Sequence, residues 1–201
     1  MAALVFGQPH FSIIKRMKTV LKIASVFMLL LYSVNAYSQN HVPKPGDVIL
    51  NPNFDKYVGT WKWENDGKSF VIIFKKINGQ FPINVNYSGD MLIGYHEYKD
   101  NGSVVESSLA FVNSQPSQKL YTIISAFKSS TPTPNELLTG ITHISKNKSV
   151  QVKIEYLDPT HIKIVSFSNY QGIKISTPTY TYDPAISFPD NIFLQSNNEE
   201  K

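Results

Sequence analysis

The 201-residue chain has no cysteine and a single arginine, Arg16. Without cysteine there is no disulfide framework, no Cys-ligated zinc, no iron–sulfur cluster and no thiol catalysis. A lipid-anchored lipoprotein is excluded for the same reason. With no arginine beyond position 16, bidentate phosphate and guanine recognition lose their main instrument. Also lacking are His-x-His and His-Glu-x-x-His spacings, a Gly-x-Ser-x-Gly elbow and a phosphate-binding glycine loop. No cofactor and no metal are expected.

Net charge is the next shortage. The formal value is +4, from 19 bases and 15 acids. Lys15, Arg16, Lys18 and Lys22 lie in residues 1–38, which hold no acid. The remainder carries 15 of each sign and is formally neutral. The basic balance therefore belongs to the N-terminal segment, and a nucleic-acid partner is not expected.

That segment has its own pattern. Lys18 and Lys22 precede an uncharged, mostly apolar run from Ile23 to Val34, and small residues follow at Ala36 and Ser38. This is the tripartite order of a signal peptide. The run covers 12 residues, whereas a spanning helix needs about 20. An uncleaved anchor is the alternative. Residues 1–38 are therefore read as a signal-peptide helix region, with Met17 as the expected start and cleavage near 36–38. The expected location is periplasmic or secreted, with no stable membrane span after cleavage.

Residues 39–53, with Pro43, Pro45 and Pro52, read as an exposed lead-in, and 54–201 as one β domain. Short runs rich in Val, Ile, Phe, Tyr and Thr alternate with turn clusters, and helical periodicity is absent. The runs are Tyr57–Glu64, Phe70–Lys76, Met91–Lys99, Val104–Phe111, Leu120–Lys128, Leu137–Ile144, Val150–Leu157, Ile162–Phe167 and Asn191–Gln195. Phe70 to Phe74 is unbroken in apolar character and is expected to be covered on both faces. From 149 to 156 the chain alternates, with Val150, Val152, Ile154 and Tyr156 on one side. Eight or nine such strands in an antiparallel meander must bury one face and manage their edges. A closed barrel does both, with a β-sandwich as the alternative.

Two segments carry a resemblance. Tyr57-Val58-Gly59-Thr60-Trp61-Lys62-Trp63 and Phe188-Pro189-Asp190-Asn191-Ile192-Phe193-Leu194, together with the signal peptide, resemble a family of exported Gram-negative bacterial proteins of unknown function. Gly59-Thr60-Trp61 also resembles the G-x-W unit of lipocalin-like barrels. That resemblance implies a barrel whose base Trp61 closes, with Gly59 permitting close backbone approach. The arginine that lipocalins usually place over this tryptophan is absent, as is their T-D-Y element.

From the resemblance and the aromatic texture, the first expectation is a non-enzymatic barrel holding a small apolar or aromatic ligand among Trp63, Phe74, Tyr95 and Ile154. An envelope or protein-interaction module is a second reading. A third is an enzyme with a carboxylate/His site at His96, Glu97 and Glu106, around the Asp100-Asn101-Gly102 turn. A two-residue Asn101-Gly102 loop sets Glu97 opposite Glu106. A three-residue loop sets His96 opposite Glu106. Ser88, Ser103 and Ser107 form no triad with His96 that the sequence supports.

Overall fold

The computed structural model describes residues 44–80, 87–126, 133–171 and 181–197. The signal-peptide segment lies outside the described residues. Among the described residues ten strands form one sheet: β1 (Val48–Ile49), β2 (Gly59–Asn65), β3 (Lys68–Gln80), β4 (Ser88–Asp100), β5 (Ser103–Ser107), β6 (Ile123–Ala126), β7 (Glu136–His143), β8 (Lys148–Asp158), β9 (His161–Asn169) and β10 (Ile192–Ser196). The helical elements among the described residues are short 3-10 turns.

Strand order runs β4-β3-β2-β10-β9-β8-β7-β6, and β6 pairs back onto β4. Eight antiparallel strands therefore close a barrel, which sets the sandwich aside. Closure depends on the length of β4. One edge pairs with β3 along its whole length. The other edge is shared by β1 in parallel at Ser88–Gly89, β6 at Met91–Gly94 and β5 at Glu97–Asp100.

Alternation fixes the interior. Trp61 pairs with Ile72 and Trp63 with Phe70, so both tryptophans face inward. Opposite them, Phe70, Ile72 and Phe74 are buried while Val71 and Ile73 are only half-buried. The apolar run of β3 is thus fully covered on one face, not on both. Val150, Val152 and Ile154 point inward from β8, and Tyr156 packs at the core's margin.

Each barrel end is plugged. At the end where β2 starts, the 3-10 turn Pro52–Tyr57 inserts Phe54 and Tyr57. Asn51 caps that turn by accepting from Asn53 N at 3.1 Å. Trp61 Nε1 donates to Tyr57 O at 2.8 Å, and the Tyr57 hydroxyl donates to Asn135 O at 3.0 Å. Base closure thus rests on a tryptophan–backbone bond, with no arginine involved. The opposite end carries the Asn65–Lys68 and Asp100–Ser103 hairpins and the Ile144–Lys146 turn. There residues 183–190 cross as a strap, and Phe188 enters the barrel.

Candidate functional site

The site at the strap end begins with a strand irregularity. Asp100 pairs with Ser103 and Lys99 with Val104, as a two-residue Asn101-Gly102 loop requires. Asn101 and Gly102 have φ of 49° and 74°, the left-handed conformations such a loop needs. The register then slips, and Tyr98 pairs with Glu106. Val105 is the extra residue of a β-bulge, which re-aims everything after it. Val104 and Val105 are both exposed and Glu106 turns inward. Neither simple register expected from sequence holds, because the bulge adds one residue to the strand instead of the loop.

Glu106 thereby lands among five donors. His96 Nε2 reaches Oε1 at 2.6 Å and His143 Nδ1 reaches Oε2 at 2.7 Å. Ile144 N donates to Oε1 at 3.1 Å; Ser145 N and Ser145 Oγ donate to Oε2 at 3.0 and 2.7 Å. The side chains of Glu106 and both histidines are 0–1% exposed. A buried carboxylate is tolerated only when its oxygens are fully satisfied. Burial alone would raise the Glu106 carboxyl. The hydrogen bonds from His96 and Ser145, with the attraction of His96, outweigh burial and pull it down to about 2.

The two imidazoles meet different oxygens of Glu106 and do not converge on one point, so the cluster is a hydrogen-bond relay. Among the described residues no group of His, Asp and Glu could hold a metal ion. On the His96 side the relay continues to two hydroxyls: Nδ1 lies 2.7 Å from Thr122 Oγ1, which lies 3.0 Å from Ser108 Oγ. On the His143 side it runs outward. His143 Nε2 is 2.9 Å from the Oγ of Ser187, an exposed residue of the strap, and Ser187 N donates to the same nitrogen at 3.3 Å. An ionised Glu106 has no proton to give, so Nδ1 carries the hydrogen and Nε2 accepts from Ser187. Burial lowers the pKa of His143, with Lys146 and Lys148 adding to it against the pull of Glu106.

Phe188 underlies the relay from within the barrel. Its ring stacks on His143 at 4.2 Å with planes 20° apart. It also meets Phe70 at 5.3 Å, His96 at 5.4 Å, Phe167 at 5.2 Å and Tyr98 at 6.2 Å. The strap is held by Lys148, a buried residue in the inward phase of β8, whose ammonium donates to Asp183 O and Ala185 O at 2.8 Å each. Asn169 Nδ2 donates to Pro184 O at 2.8 Å.

The residues singled out from sequence are dispersed. His96 and Glu106 come together. Glu97 does not join them: it lies on the other face of β4 and pairs with Lys99 at 2.9 Å. Phe74 and Ile154 are buried in the interior, and Trp63 is half-buried at its margin. Tyr95 is buried on the outer face of β4, since it alternates with the inward Gly94 and His96. That face lies beneath the excursion after β5, which Lys75 ties down by donating to Val112 O. Gly59 opens β2 with φ of +134°.

His143, Ser145, Ser187, Phe188 and Thr122 were not among the expected site residues. A signal existed for His143, which continues the inward phase Leu137, Thr139, Ile141 of an alternating strand. None existed for Ser187, whose place depends on the strap.

Residues 17–196 match a family of unknown function (DUF6705), and the chain belongs to that family. No curated protein and no solved structure matches it.

Proposed function

We propose that this family member is an exported barrel that holds a small apolar or aromatic molecule in the ring cage filled here by Phe188. The tripartite segment before residue 39 supports export. The Phe188 cage carries the ligand reading. Deeper in the barrel Ile72, Phe74, Val152, Ile154 and Leu194 are 0–1% exposed, so no water-sized void adjoins them. A ligand's place is therefore where a ring already sits that no strand supplies.

The cage of Phe70, His96, Tyr98, His143 and Phe167 suits a flat apolar ring, because aromatic contacts favour offset and edge-on neighbours at these separations. Removing a benzene-sized side chain from an apolar interior leaves a space that binds benzene-sized molecules. Ligand entry displaces the strap, and competition with Phe188 lowers apparent affinity by the closed fraction.

A second reading rests on β5. It pairs with β4 alone among the described strands and exposes Val104 and Val105. Such an edge suits strand addition by a protein partner.

Native mass spectrometry of protein purified from its own source tests the proposal. A retained small apolar or aromatic molecule supports it. Ligand-free protein that also binds no aromatic probe overturns it, and a retained protein partner shifts the reading to the β5 edge.

A further inference from the structure

The geometry points to a second activity: we propose that Ser187, through His143 and Glu106, acts as a nucleophile in acyl transfer from small carboxylic esters to water. The groups stand in the order of a nucleophile, its base and the base's orienting carboxylate. An exposed hydroxyl donates to Nε2 of an imidazole at 2.9 Å, and the Nδ1–H of that imidazole donates to a buried carboxylate at 2.7 Å. This polarity lets a histidine accept a serine proton while the carboxylate holds the ring's tautomer and steadies its charge. Each member is held in place. Glu106 is anchored by Ile144, Ser145 and His96. His143 is clamped between Glu106 and the Phe188 ring, and the strap is pinned by Lys148 and Asn169.

The step balances without a further reactant. Ser187 Oγ bonds to the ester carbonyl carbon as its proton passes to His143 Nε2. The tetrahedral adduct collapses, the bond to the alcohol oxygen breaks, and the alcohol leaves with that proton. Water then attacks the acyl-serine with His143 as base, releasing the carboxylic acid and restoring the serine hydroxyl. Phe188 fills the space directly beneath the relay, so substrate approaches from outside and only the acyl carbon needs to reach Oγ. That favours short acyl groups.

The inference does not rest on ligand binding in the cage: the relay works with Phe188 seated, and binding needs it displaced. The probe is diisopropyl fluorophosphate, which phosphorylates activated serine hydroxyls with loss of fluoride. Whole-chain mass spectrometry is expected to show one adduct per molecule, mapped to Ser187. Ser187→Ala, a change at an exposed position, is expected to abolish it without loss of fold. His143→Gln is expected to slow it about 100-fold or more, the usual scale of base catalysis. The same variants should lose the burst of nitrophenolate from p-nitrophenyl acetate. Wild-type protein that stays unlabelled, or an adduct that persists in Ser187→Ala, overturns the inference.

Discussion

Phe188 lies face to face with His143, their ring centroids 4.2 Å apart and their planes within 20°. One strap residue therefore both plugs the barrel and holds an imidazole of the relay against its carboxylate. Sealing of the end and order in the polar cluster are parts of one packing event.

Phe188→Ala is expected to destabilise the barrel by about 3–5 kcal/mol, the range for truncating a buried phenylalanine. Urea denaturation followed by tryptophan fluorescence measures it. A loss below about 1 kcal/mol would mean that the strap closes over the cavity and repairs it.

Acid is expected to destabilise the protein in two windows. Burial is the largest influence on His143 and lowers its pKa below the ordinary 6.5, so the folded protein holds it neutral. Unfolding releases a ring that takes up a proton, so stability falls as pH drops below about 6.5. Glu106 has a folded pKa of about 2 against an unfolded 4.5. Its contribution is present above 4.5 and is lost as pH falls from there toward 2. From that difference it is of the order of 3 kcal/mol. Denaturation midpoints between pH 8 and pH 3 are expected to fall monotonically.

Glu106→Gln tests the carboxylate itself. A glutamine turns one of its two ends into a donor, which then faces either His96 and Ile144 or His143 and Ser145. The expected cost is about 3–5 kcal/mol, as for breaking a buried ion pair. The pH dependence between 4.5 and 2 should flatten at the same time. A variant that keeps the wild-type acid slope would assign that slope to other carboxyls.

Gly59→Ala isolates backbone strain. Nothing lies within 4 Å of an added Cβ there, yet φ is +134°. A cost of about 1–3 kcal/mol is expected from conformation alone, read from the shift in urea midpoint.

The meander was legible in sequence because its strands obey local rules. Each expected run overlaps a strand, since β-branched and aromatic alternation between turn residues needs no tertiary help. Ends were less legible. Val104–Phe111 stops as a strand at Ser107 and becomes a 3-10 turn at Leu109–Phe111, and the lead-in contributes the short β1. The meeting of His96 with Glu106 was expected only for a three-residue loop; the loop has two residues, and the Val105 bulge, which no local rule signals, brings the two side chains together instead. Ser187 and Phe188 lay beyond any local rule. Their positions follow from the strap of residues 183–190, held by Lys148, which is 35 and 37 residues from its carbonyl partners, and by Asn169 at the end of β9.

Calorimetric titration of indole into the Phe188→Ala protein tests the ring cage most directly. Saturable one-to-one binding is expected, weaker in wild type because Phe188 competes for the same space. Equal affinity in the two proteins, or no binding to the variant while it remains folded, would contradict it.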